Sequence, residues 1–192
     1  MRRKSGPGFR PIRDGFIFIL MMVLGVLIAA RLDGVNQERF AGGFYAVDGD
    51  TIGLDNKRFR LIGIDAPEKS QSCQSDKGEW ACGEEAKGYL ADIVKSGAVE
   101  CFGNERDKYK RLLVRCAVNG QDVAGQMVSA GYAVTTEYFL FSDEQAQAQA
   151  RRAGIWSGTF EQPRDWRREH KAADMDVPLA GVLSLVRHVL GW

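Results

Sequence analysis

The chain is short of histidine, of net charge and of paired-cysteine motifs, and each shortage excludes something. Only two histidines occur among its 192 residues, His170 and His188, both near the C-terminus. The four cysteines, Cys73, Cys82, Cys101 and Cys116, include no Cys-x-x-Cys spacing. Zinc centres are built from such spacings or from cysteine with nearby histidine, so none is expected. The formal net charge is +1. Arg2, Arg3, Lys4, Arg10, Arg13 and Arg31 face a single acid, Asp14, so this part carries +5 and the remainder about −4. A domain with that balance has no overall basic field to steer polyanions. Any hold on nucleic acid has to be local, through a metal and a few placed arginines. Internal repeats are also absent.

One long apolar run is present. From Gly15 to Ala30 every residue is apolar or glycine, behind a basic flank that is rich in Gly and Pro. Such a run reads as a targeting segment. A span needs roughly 20 residues, and Arg31 could snorkel so that Leu32 joins it. Ala29-Ala30 offers small residues for cleavage, yet Ile28 is a poor partner for an Ala-x-Ala signal. An uncleaved anchor is favoured, with the N-terminus cytoplasmic by the positive-inside rule and the remainder in the periplasm or outside. A cleaved signal with a secreted product is the alternative. Arg2-Arg3 alone does not make a twin-arginine signal. An even cysteine count behind an export segment suggests disulfides.

The rest of the chain can bury one core. Phe40–Val47, Thr51–Leu54 and Lys57–Ile64 read as strands, with a bulge or bend hinted at Gly42-Gly43 and turns at Asp48-Gly49 and Asp55-Asn56-Lys57. In Lys57–Ile64, Phe59, Leu61 and Gly63 face one side and Arg58, Arg60, Ile62 and Ile64 the other. Residues 69–83 read as a polar loop. A helix from about Glu84 to Lys95 presents Ala86, Leu90, Ile93 and Val94 on one face. Ala98–Phe102 and Leu112–Val118 follow as strands, joined by a charged loop, 103–111. Val123–Ala130 reads as a helix, and another starts at Ser142, whose Gln145 completes a capping box. Five strands and then helices suggest a small closed barrel with helices packed on it.

The chemistry-bearing residues cluster in order. Asp50, Asp65 and Glu68 are hard oxygen donors, and Arg60 and Arg111 are planar cations that clamp phosphate bidentately. Phosphodiester cleavage needs a hard cation on the phosphoryl oxygen, a base for water and donors for the developing charge. Taken singly, an Asp in a turn is usually a turn residue, and a charge on a strand is usually solvated.

Asp48-Gly-Asp-Thr51, Phe59-Arg-Leu-Ile-Gly-Ile-Asp-Ala-Pro-Glu68 and Asp107-Lys-Tyr-Lys-Arg111 closely resemble the staphylococcal nuclease-like (thermonuclease) family. The resemblance runs from about Phe40 to Trp156 or Trp166. It implies an α+β fold, a five-stranded OB-fold barrel with about three packed helices. It also implies a calcium-dependent phosphodiesterase acting on DNA or RNA that cleaves the 5′-side P–O bond and leaves 3′-phosphates. By the resemblance Asp50, Asp65 and the Ala66 carbonyl hold Ca2+, and Glu68 acts as general base. Arg60 and Arg111 bind the phosphate and the leaving group, and Lys108, Tyr109 and Tyr138 contact substrate. Lys110 stands where the family often has glycine. In this fold Cys101 and Cys116 lie on adjacent strands as candidate cross-strand partners, and Cys73 with Cys82 closes the loop after Glu68.

The expected organisation is therefore an N-terminal flank, anchor and linker over 1–36, a nuclease-like domain over 37–168 and an amphipathic tail over 169–192. The tail is read either as a surface helix for membrane or partner, or as packing on the domain. The expected partners are nucleic acid and the membrane, with no obligate protein partner. The rival reading is a catalytically silent OB-fold module that binds nucleic acid or protein at the cell envelope.

Overall fold

The computed structural model describes residues 10–35, 37–107, 109–137 and 139–170. The substrate-contact readings for Lys108 and Tyr138, the basic flank over 1–9 and the tail over 171–192 lie outside these residues. The chain divides into two compact units between Glu38 and Arg39, and each is described by itself.

The described part of the first unit is a helix, α1, Arg10–Val35. Its middle is the charge-free run, and from Asp14 to Ile28 the side chains are exposed. Among the described residues no helix is long and apolar enough to cross a membrane.

The second unit begins with a strand that bends. The expected run Phe40–Val47 is broken into β1, Glu38–Gly42, and β2, Tyr45–Ala46, where the Phe44 amide donates to the Gly42 carbonyl at 3.1 Å. A hairpin of β3, Thr51–Leu54, and β4, Lys57–Leu61, turns through Asp55-Asn56, with Asp55 at φ 52. The expected strand to Ile64 does not run through. Gly63 at φ 82 turns the chain into a short strand β5, Ile64–Asp65, so Ile64 is buried rather than facing outward with Arg58.

The expected polar loop over 69–83 holds a small hairpin, β6, Cys73–Ser75, with β7, Gly78–Trp80. Then come α2, Cys82–Lys95, β8, Val99–Arg106, β9, Leu112–Val118, β10, Gln121–Asp122, α3, Val123–Ser129, β11, Val134–Thr135, α4, Ser142–Ala150, a 3-10 turn, Gly154–Ser157, and a last helix α5, 163–170.

The main sheet has seven strands in the order β1-β8-β9-β4-β3-β2, with β10 on β9. β1 and β2 stand at opposite ends of that order, yet only two residues separate them in the chain. The sheet must therefore curl until its ends nearly meet. The result is an OB-like α+β half-barrel, with more strands than the five expected because the first is bent and β10 adds an edge. β5 pairs with β11 as a separate two-stranded sheet.

Phe59 fills the curled sheet, with Phe40 and Phe44 edge-on at 4.9 and 5.5 Å. Ala86, Leu90, Ile93 and Val94 of α2 are buried in the same core, as their spacing requires. A smaller cluster joins Cys73, Cys82, Val134 and Ile155 with Trp80, Trp156 and Phe160.

Two local expectations are corrected. β8 runs on to Arg106 through a bulge between Phe102 and Glu105, which shortens the charged loop. Glycine is required there, since a Cβ on Gly103 would meet the Leu113 carbonyl oxygen at 2.0 Å. The capping box at Ser142 does not form either. Phe141 occupies the cap at φ 58, and the Gln145 side chain instead accepts the Thr135 amide at 2.8 Å. That bond satisfies a donor on β11, so tertiary demand overrides the local motif.

Candidate active site

The site starts from a close approach. Residues 47–50 form a tight turn in which the Asp50 amide donates to Asp48 Oδ1 at 3.1 Å and the Val47 amide to the Thr51 carbonyl at 2.8 Å. A Cβ on Gly49 would lie 2.7 Å from Ala66 Cβ and 3.0 Å from Ala86 Cβ. Only glycine lets this turn lie on Asp65-Ala66, so Gly49 brings the two candidate metal carboxylates together.

The hairpin register pairs Thr51 with Arg60, which sets the guanidinium beside the turn. Arg60 Nη1 lies 2.6 Å from Asp50 Oδ2 and Nη2 lies 2.8 Å from Asp65 Oδ1. Asp50, Asp65 and Ala66 are all buried. Burial pushes the Asp50 carboxyl up to about 7 against the pull of Arg60, and Asp48 and Asp65 add to the rise. Burial lowers the Arg60 guanidinium, but Asp50 and Asp65 hold it above the ordinary arginine value.

Glu68 is fixed through its backbone. Its amide donates to Gln71 Oε1 at 3.2 Å, and its carbonyl accepts from the Gln71 amide at 2.8 Å. A Cβ on Gly83 would fall 1.7 Å from the Glu68 oxygen, so glycine lets the start of α2 seat against it. The Cys73–Cys82 disulfide closes this loop.

Arg111 is held by Asp107. Its Nε and Nη2 contact Asp107 Oδ2 at 2.8 and 2.7 Å, while Asp107 Oδ1 accepts the Tyr109 and Arg111 amides at 2.9 Å each. Burial raises the Asp107 carboxyl, but these Arg111 bonds hold it below the usual carboxylate range. Lys110, between them, sits at φ 66. The loop springs from a strand pair that the Cys101–Cys116 disulfide crosses at a register position. Both expected cysteine pairings are thus present.

Arg111 meets the carboxylates through Thr51. The buried Thr51 hydroxyl donates to Asp50 Oδ1 at 2.9 Å and accepts from Arg111 Nη1 at 3.4 Å. Tyr109 is exposed, with Arg111 Cζ 5.4 Å from its ring. Phe139 is 90% exposed, on the segment whose Leu140 and Phe141 pack near Gly63.

Sequence reasoning missed three residues here. Thr51 and Asp107 stood inside quoted motifs without a role. Arg167 on α5 lies outside every motif. Its Nη2 reaches Asp65 Oδ2 at 2.8 Å, and its Nη1 reaches Asp65 Oδ1 at 2.9 Å and Glu68 Oε1 at 2.8 Å. Burial lowers this guanidinium, but bonds to Asp65 and Glu68 hold it above its ordinary value. An arginine in a polar segment about a hundred residues from its partners gives no local signal.

The donor set fits a hard divalent cation. It offers carboxylate, carbonyl and hydroxyl oxygens without sulfur or imidazole, as calcium prefers. Burial, with Asp48 and Asp65 nearby, raises the Asp50 carboxyl despite Arg60, and a cation bound there would favour its charged form. Among the described residues no cluster of three or more acidic, histidine or cysteine side chains is ready-made for a metal. Arg60 and Arg167 lie between the acids.

Comparison with known proteins identifies the family. The family described as "Staphylococcal nuclease homologue" matches residues 58–158. The succinoglycan biosynthesis protein ExoI of Rhizobium meliloti is 33% identical over 142 residues, covering 69% of this chain and 74% of the relative. An "uncharacterized endonuclease" of Haemophilus influenzae is 31% identical over 134 residues, covering 65% and 70%. Another, of Escherichia coli O157:H7, is 32% identical over 134 residues, covering 65% and 81%. The family match spans more than half of the chain and includes Arg60, Asp65, Glu68 and Arg111, so the chain belongs to the staphylococcal nuclease homologues, a family of phosphodiester-cleaving nucleases.

Proposed function

We propose that this chain is a calcium-dependent nuclease that hydrolyses DNA or RNA outside the cytoplasm, cutting the 5′-side P–O bond to leave 3′-phosphates. The observation that carries the reading is the unbroken contact chain Arg111–Thr51–Asp50–Arg60–Asp65, with Glu68 joined to Asp65 through Arg167. Three carboxylates and two candidate phosphate-binding arginines meet on one patch.

Asp50, Asp65 and the Ala66 carbonyl are the residues that would hold the cation. When bound, it supplies Lewis-acid polarisation of a phosphoryl oxygen and positive charge against the transition state. Glu68 takes the proton of the attacking water as general base. Arg60 and Arg111 are the planar cations that would take up the charge developing on the phosphoryl oxygens, and Arg111 would also serve the leaving oxygen. Tyr109, exposed beside Arg111, is the aromatic residue that would contact a base.

The compartment reading rests on two supports. Disulfides persist in oxidising surroundings, and both cysteine pairs are bridged. The apolar run behind a basic flank suits a targeting segment: kept as an anchor it would leave the N-terminus cytoplasmic, although no described helix is long and apolar enough to cross a membrane, and cleaved as a signal it would place the same unit in the periplasm or beyond.

A silent binding module is the second reading, favoured by the guanidinium groups that lie between the acids. One assay separates the two. The purified full chain in detergent is given denatured DNA or RNA with calcium or with chelator, and the product ends are identified. Cleavage with 3′-phosphate ends in calcium alone is expected. Binding without cleavage under any divalent metal would establish the silent module instead.

A further inference from the structure

Glu68 is about one-third exposed at its side chain, and a glutamate so placed normally samples several rotamers. Among the described residues its side chain is restrained by Arg167 alone. Arg167 Nη1 is shared between Glu68 Oε1 at 2.8 Å and Asp65 Oδ1 at 2.9 Å, while Nη2 closes the fork on Asp65 Oδ2 at 2.8 Å. Asp65 is buried and also gripped by Arg60, so it is the rigid end of the bridge. Among the described residues only Oε1 of Glu68 is bonded, to Arg167, which leaves Oε2 to meet water.

A second tie runs the same way. The buried Gln71 side chain accepts the Glu68 amide at 3.2 Å and donates to the Glu161 carbonyl at 2.7 Å. Both the backbone and the side chain of Glu68 are thus referenced to the segment 161–167. On α5 the Trp166 ring stacks on His170 at 3.8 Å, one residue from the arginine.

We propose that Arg167 is a positioning residue for Glu68, clamping its carboxylate to Asp65 so that α5 completes the active site. The proposal rests on the nuclease reading, with Glu68 as base. A planar five-donor fork spans two carboxylates; a lysine ammonium is a point charge on a flexible stem and does not reproduce it. The grip is on the base and a metal carboxylate, so its loss should appear in the chemical step more than in substrate binding.

The test uses the full chain in detergent, as wild type, Arg167→Ala and Arg167→Lys. Rates on denatured DNA are measured at saturating calcium. Affinity for a cleavage-resistant phosphorothioate oligonucleotide is read by anisotropy, calcium affinity by calorimetry and folding by melting curves. Arg167→Ala should lose about 10- to 100-fold in kcat, with KM and oligonucleotide affinity changed by no more than about twofold. Millimolar guanidinium should restore part of that rate where equal sodium chloride does not. Should Arg167→Ala fail to fold, Arg167→Lys carries the test, with wild-type melting and a lowered kcat expected.

An unchanged kcat would make Arg167 merely structural and overturn the proposal. A raised KM with lost oligonucleotide affinity and unchanged kcat would make it a phosphate clamp. Tighter calcium binding with a higher kcat would make it a plug in the cation's place, and each of these also overturns it. A wild type that cuts nothing overturns the nuclease reading along with this one. A wild type that cuts beside a full-speed Arg167→Ala overturns this one alone.

Discussion

Lys110 holds φ 66 while its amide donates to the Asp107 carbonyl at 2.9 Å and its own carbonyl accepts from Arg106 Nη1 at 2.8 Å. The left-handed conformation costs an L residue about 1–2 kcal/mol, and glycine returns about 0.5–1 kcal/mol of that through unfolded-state entropy. Lys110→Gly should therefore raise stability by about 0.5–1 kcal/mol in urea unfolding, since every bond named is main-chain on the lysine's side. Next to it, Arg111 sits pre-aimed by Asp107 and joined to Asp50 through Thr51. Arg111→Ala and Glu68→Gln should each lower kcat by about 10²-fold or more with melting little changed; a rate within threefold of wild type, in single-turnover assays, would remove that residue from the mechanism. That Asp50, Arg60, Asp65, Glu68 and Arg111 come together was legible because charged groups of matching chemistry recur in three ordered motifs. Thr51, Asp107 and Arg167 were not, because their roles are hydrogen bonds to other side chains, which spacing along a chain does not encode.

Strands and helices were legible where one face is buried and illegible where something else supplies the stability. β9 and the apolar face of α2 follow period and burial closely. The β6–β7 hairpin has no alternating pattern; a disulfide from Cys73 to Cys82 and the Gln74 amide on the Thr159 carbonyl at 2.8 Å hold it. α5 is polar along its length, and Arg167 anchors it by charge. Cys101–Cys116 shows what a covalent tie does for a loop. It crosses β8 and β9 before the Gly103 bulge, and beyond the bulge the strands re-pair at Glu105–Leu113 and Arg106–Leu112 before giving way to the Arg111 loop. Cys101→Ser with Cys116→Ser should cost about 3 kcal/mol, measured by urea unfolding of oxidised wild type against the variant. The same variant should lose kcat at temperatures well below its melting point, because the fork of Arg111 is aimed by that strand pair. Wild-type kcat in a variant that has lost the stability would confine the bridge to folding.

For the whole molecule, charge was the most legible property, because counting it needs no fold. The +5 lies up to Arg31 and about −4 on the remainder, so the catalytic unit must hold a polyanion by contact rather than by field. The candidate phosphate contacts are few, Arg60 and Arg111. Some two neutralised phosphates on a single strand give a salt slope of about −1.4 in log K against log salt. The measurement takes the full chain in detergent with Arg2, Arg3, Lys4, Arg10 and Arg13 changed to Gln, so that the flank contributes nothing. Anisotropy of a phosphorothioate oligonucleotide is followed as salt rises from about 50 to 200 mM. A slope steeper than about −5 would require a phosphate track of seven or more cations. A unit with about −4 of net charge could supply one only by segregating its basic residues onto one face, and the active-site arginines would then be a minor part of how nucleic acid is held.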